Sequence, residues 1–179
     1  MQEQARRQQT DMPQGRPGGM RKLSPGCGAN FGVRKQAAMG IYEELDAAIQ
    51  GLRESGRCEL EQLTADVAIS LVARLRATFF SGASRPWWHH FPTRRVSVVV
   101  EPSKTTARLA DVIGIEPSAE VLLIPDPETV EPCRVYQGSL ASVIESLGEC
   151  YLFEYYLAAP DLSWVLAEND HNQLLFHQR

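Results

Sequence analysis

The sequence predicts an α+β protein: a mixed or mostly antiparallel sheet, helices packed on one face, and a C-terminal three-strand meander. Three observations carry this. Two amphipathic helical segments follow one another early in the chain. The apolar runs after them give the order α-α-β-α-β-β-α-β-β-β, in which helices serve a single sheet. The last thirty residues, CYLFEYYLAAPDLSWVLAENDHNQLLFHQR (Cys150–Arg179), read as three consecutive strands separated by turn residues.

Composition divides the 179-residue chain near residue 36. Residues 1–36 are rich in Gln, Arg, Gly and Pro and carry seven basic and two acidic residues, a net +5. With few large apolar side chains they cannot offset the entropy of ordering, so they read as a disordered basic tail. Residues 37–179 carry eleven basic and twenty acidic residues, a net −9, and read as one acidic domain. That charge disfavours nucleic-acid phosphates and favours a basic partner.

The first helix is expected over 37–54, where Ile41, Leu45, Ile49 and Leu52 share a face and Gly56 supplies a stop. The second is expected over 64–79, with Val67, Leu71, Leu75 and Phe79 as its buried stripe and Val72 beside it. Residues 81–95 form a long irregular connection. The β-branched run Val96–Val100 is a strand closed by Glu101-Pro102. A short helix over 105–113 follows, with Gly114 as its C-terminal cap. Val121–Ile124 is a strand, 133–137 a weaker one, and Ser139 caps a helix stopped by Gly148. The 105–113 and 139–148 helices have the length of crossovers, so a locally parallel strand pair is compatible with the pattern.

The C-terminal hairpin supplies the candidate chemistry. With Pro160-Asp161-Leu162 as its loop, symmetric pairing sets Tyr156 opposite Leu166, Ala158 opposite Trp164 and Glu154 opposite Glu168. The opposite face then carries Tyr151, Phe153, Tyr155, Leu157, Val165 and Ala167, all expected against helices. Two opposed carboxylates repel, and such a pair with one raised pKa is the machinery of glycoside or metal-assisted hydrolysis. Glu168, Asp170 and His171 are the accompanying candidates for catalysis. The competing reading of Glu168–Asn172 is a tight turn, since Asn and Asp tolerate the left-handed backbone that such turns need. A contiguous acidic set is weak ground for a metal site, so no metal and no cofactor are expected.

Trp87, Trp88, His89 and His90 lie between Pro86 and Pro92. Two indoles beside two imidazoles suit stacking on a base, a sugar or a partner side chain; the plainer reading is a plug on the fold. Together with Trp164 they form the candidate binding residues. Cys27, Cys58, Cys133 and Cys150 are widely spaced, which suits reduced thiols. Glycine-rich nucleotide loops, nucleophile elbows, zinc-binding helices and paired-cysteine motifs are all absent. No apolar run reaches the roughly 18 residues of a membrane span and no apolar leader opens the chain, so a cytoplasmic protein that does not associate with membranes is expected.

The segment GECYLFEYYLAAPDLSWVLAENDHNQLL (Gly148–Leu175) resembles the C-terminal end of a family of small bacterial proteins of unknown function. The helix–strand layout is also similar to the SMI1/KNR4-like group, many of whose members are immunity proteins that neutralise toxins. The second likeness implies an immunity-type protein; with the acidic charge and the absence of a catalytic motif it points to a non-enzymatic protein-binding module with a protein partner, and neither resemblance brings catalytic residues. The alternatives are a hydrolase built on Glu154 and Glu168 or a metal, and nucleic-acid binding through the basic tail and the Trp87-Trp88 loop. The sequence leaves the oligomeric state open.

Overall fold

A computed structural model describes residues 40–80, 86–91, 96–100, 105–126, 134–151 and 153–179. The basic tail expected at 1–36 and the start of the first predicted helix, 37–39, lie outside these residues. The elements run α1 (Ile41–Glu54), β1 (Glu61–Gln62), α2 (Ala65–Phe79), a 3-10 helix (Trp87–His90), β2 (Val96–Val99), α3 (Thr105–Ile113), β3 (Glu120–Pro125), β4 (Tyr136–Ser139), α4 (Leu140–Gly148), β5 (Tyr155–Ala158), β6 (Trp164–Glu168) and β7 (Gln173–Gln178).

The seven strands form one open sheet in the order β1-β4-β3-β5-β6-β7-β2. Every pairing is antiparallel, so neither helical connection creates a parallel pair. The C-terminal meander β5-β6-β7 is present and fills the middle of the sheet.

The helices cover both faces of the sheet rather than one. On the first face α1, α3 and α4 contribute Leu45, Ile49, Leu109, Leu140 and Val143, packed on Val121, Leu123, Leu157, Leu166 and Leu174. On the second face α2 contributes Ala68, Val72, Leu75 and Phe79, joined by Phe80, Trp87 and Phe91, packed on Leu122, Ile124, Ala158, Val165 and Leu175. The inner strands accordingly have no solvent side: β5 and β6 are buried at every position and β3 at all but its first. Continuous apolar runs such as Val121–Ile124 and Trp164–Ala167 are the sequence form of burial on both sides.

Local chemistry sets the element ends. Gly40 caps α1, and the Glu43 carboxylate accepts from its backbone N–H. Ser139 Oγ accepts from Ser142 N–H at 3.2 Å at the start of α4. Gly114, at φ +73, closes α3 in the left-handed conformation glycine adopts without cost. The weaker predicted strand is displaced to Tyr136–Ser139, and part of its expected span lies outside the described residues. The α1 stripe begins with Tyr42 rather than Ile41.

Side chains of α1 and α4 tie the helices to the sheet. Tyr136 donates its hydroxyl to Asp46 Oδ1 at 2.7 Å, and Arg134 reaches Asp46 Oδ2 at 2.6 Å while lying 4.7 Å from the Tyr42 ring centre. The segment before β1 is pinned to α4: Glu59 N–H donates to Ser142 Oγ at 3.1 Å, and Leu60 is fully buried. Gly138 permits this approach, because a Cβ there would meet Leu60 Cδ2 at 2.9 Å and the Glu59 carbonyl oxygen at 3.1 Å.

Candidate functional site

The register of β5 on β6 decides the fate of the predicted acid pair. Tyr155 pairs with Glu168, Tyr156 with Ala167, Leu157 with Leu166 and Ala158 with Val165. This is one residue away from the symmetric pairing that set Glu154 against Glu168. The cause is the loop, which takes four residues rather than three. Ala159 N–H donates to the Trp164 carbonyl at 3.2 Å, Ser163 N–H donates to Asp161 Oδ1 at 2.9 Å, and Leu162 turns into the left-handed region at φ 58 with its side chain buried. A one-residue slip turns each strand's side chains over relative to its partner. Glu168 therefore shares the first face with Tyr155, whereas Glu154, two residues before Tyr156, lies toward the second. The two carboxylates do not meet.

Each carboxylate has other neighbours. Glu168 is buried next to Tyr155, whose phenol is pushed well above its ordinary range by burial and then by the Glu168 charge. Glu154 Oε1 accepts from Trp88 Nε1–H at 3.0 Å and from Asp170 N–H at 3.2 Å. Its pKa is raised, first by burial and then by the charges of Asp170 and Asp126, against the lowering effect of its two hydrogen bonds. Nearby, Tyr156 donates to Asp126 Oδ2 at 3.1 Å and accepts from Trp88 N–H at 3.1 Å. These contacts lock the 3-10 helix onto the end of β5.

Asp170 and His171 belong to the β6–β7 turn. Asn169 Oδ1 accepts from His171 N–H at 3.1 Å and from Gln173 N–H at 3.0 Å, and Asn172 adopts φ 55. Both side chains are about two-thirds exposed and approach one another at 3.5 Å. No group of three or more potential metal ligands occurs among the described residues.

The aromatic candidates are divided by burial. Trp87 is buried, stacked on Phe80 at 5.8 Å and tilted against Tyr156 at 5.2 Å. It plugs the second face, as does Phe91, and it is not a free stacking surface. Trp88 is half-buried, edge-on to His171 at 5.7 Å and to His89 at 4.0 Å. His89 is exposed and His90 partly buried. Trp164 is a core residue of the first face, 6.0 Å from Phe176, rather than a surface binding residue. Cys58 and Cys150 are free thiols.

Tyr151 and Val67 both depart from the sequence pattern, and Tyr151 does so furthest. Tyr151 was expected to pack under the helices, yet it is 72% exposed. The strand begins only at Tyr155, so Tyr151 belongs to the connection leaving α4 rather than to the pleated sheet. Its backbone N–H donates to the Glu44 carboxylate on α1, and exposed Glu149 precedes it by two residues. The local field is negative: the neighbouring Cys150 thiol is pushed up to about 12 by burial and then by Glu44 and Glu149. The helix stop at Gly148 was the one available signal, since a ring three residues beyond a helix end precedes any regular strand.

Comparison with protein-family models, with curated proteins and with solved structures returned no match. Among the described residues no helix is long and apolar enough to cross a membrane.

Proposed function

We propose that residues 37–179 form a non-enzymatic protein-binding module, an immunity-type protein of the bacterial cytoplasm that captures a basic partner such as a toxin. The observation that carries this reading is the exposed side chain of Tyr151, whose backbone N–H donates to the Glu44 carboxylate and which follows exposed Glu149 by two residues. Tyrosine offers a large, rigid contact area with a polar tip, and such residues dominate interface energetics. Surrounding carboxylates steer a basic partner and set its register. The net −9 of residues 37–179 extends the same field. The resemblance of Gly148–Leu175 to a bacterial family, and of the layout to immunity-type proteins, supports the same class. Two further facts weigh in its favour against hydrolysis: Glu154 and Glu168 belong to opposite faces, and Asp170 and His171 serve a turn.

Affinity capture from a bacterial extract tests this. The full chain is expected to retain a basic protein at low salt and to release it as salt screens the contact. Tyr151→Ala should weaken binding by about 2 kcal/mol, roughly thirtyfold, and Glu149→Lys should slow association. Both positions are exposed, so circular dichroism should be unchanged. Capture of no basic protein, or equal capture by both variants, overturns the proposal.

A further inference from the structure

The two edges of the sheet differ in how they are protected. β1 is only two residues long and carries exposed Glu61 and Gln62, a short, polar edge that discourages pairing. β2, at the other end, reads Val-Ser-Val-Val and holds no charge, proline or glycine. Val96 is 52% and Val99 72% exposed, and together they are two of the five large apolar side chains left on the surface of the described residues. An apolar, regular edge that no other described strand pairs with is a template for another strand.

The backbone of β2 shows which groups it offers. Val96 pairs with Phe176 and Val98 with Leu174, and the series continues to Val100, whose N–H donates to the Asn172 carbonyl at 2.9 Å. In an antiparallel ladder a residue directs both its N–H and its C=O to the same side, and the side alternates along the strand. Val96, Val98 and Val100 therefore face β7. Ser97 and Val99 direct their N–H and C=O groups away from the sheet. Those four groups form a self-complementary set. If a second β2 runs antiparallel about a two-fold axis at Val98, Ser97 of one copy pairs with Val99 of the other, and the reverse. Each outward group then finds a partner.

We propose that two copies of this chain associate through β2, making one continuous fourteen-stranded antiparallel sheet about an axis at Val98. A second copy is favoured over a foreign strand because the register satisfies itself, and because the sequence carries Arg94-Arg95 just before the strand and Glu101 just after it. An antiparallel copy runs this charge pattern in the opposite sense. The same register brings the two Val98 residues together on the first face of the sheet and sets each exposed Val99 beside Ser97 of its mate. Such cross-strand pairs are the unit of sheet stabilisation.

Sedimentation equilibrium of the full chain, at concentrations up to roughly 1 mM, reads the association directly. A monomer–dimer equilibrium is expected. Val99→Lys alters an exposed side chain and should raise the dimer dissociation constant about tenfold or more. Ser97→Pro removes an outward N–H and leaves the bonds to β7 in place, so it should do the same. Thermal melts of the dilute variants monitor the fold; where Ser97→Pro lowers the melt, Val99→Lys alone decides. A wild-type chain that stays monomeric overturns the proposal, and so does a dimer that Val99→Lys leaves unaffected. Self-association is measured without any partner, so its result is separate from that of the capture experiment.

Discussion

Glu154 holds together two segments that would otherwise part, Trp88 and the Asp170 turn, at the expense of a partly buried charge. Its raised pKa means that the folded chain binds this proton more tightly than the unfolded one. Stability from that proton is present in full below the ordinary carboxylate range, and it is lost as pH rises through the raised value. Gln at this position keeps the Oε1 acceptor without the charge. Glu154→Gln is therefore expected to melt higher than wild type at neutral pH, and the difference should vanish in acid. Melting curves from pH 4 to 8 check this, and a difference independent of pH would contradict it. Tyr151 and Trp87 illustrate how one residue type divides at this scale. Both are aromatic residues near an element end; one meets solvent and the other fills the space between Phe80 and Tyr156.

At the scale of elements, what the sequence discloses is what local chemistry determines. The helices over 64–79, 105–113 and 139–148 are found at Ala65–Phe79, Thr105–Ile113 and Leu140–Gly148, because apolar spacing, helped by the Ser139 cap of α4 and the Gly114 stop of α3, acts within one turn. Facing is harder. Repeated i, i+4 steps from Phe79 back to Val67 wind about 40° each around the helix axis. The stripe drawn that way drifts off the buried side: Val67 is 50% exposed, and Ala68 and Val72 take its place. Val67→Asp should then change stability by no more than about 0.5 kcal/mol, whereas Val72→Asp should cost about 3 kcal/mol or more by burying an unpaired carboxylate. Urea titrations of both variants distinguish the two faces. Three further features were illegible for stated reasons. β1 exists because Gly138 lets the chain cross close to β4, a contact between residues far apart in sequence. The hairpin register hangs on one extra loop residue, Ser163, and with it went the predicted acid pair. Burial on both faces was written in the uninterrupted apolar runs, but an alternating reading of the same residues hides it.

In the whole molecule the sheet is graded from a doubly covered middle to two unlike edges. β3, β5 and β6 are buried on both faces, and the C-terminal meander supplies two of the three. Local openings require little where contacts are few, so amide exchange should be slowest in β5 and β6 and fast in β1. The informative strand is β2. In a lone chain, the Val98 and Val100 amides face β7 and exchange slowly, while those of Ser97 and Val99 face outward and exchange fast. Pairing through β2 encloses the outward pair as well. Residue-resolved exchange at rising protein concentration should then show Ser97 and Val99 gaining protection together, with Val98 and Val100 little changed. Protection gained elsewhere, with Ser97 and Val99 unaltered, would place any association on a different surface. Gain at only one of the two would shift the axis away from Val98, because only that register engages both residues of each copy at once.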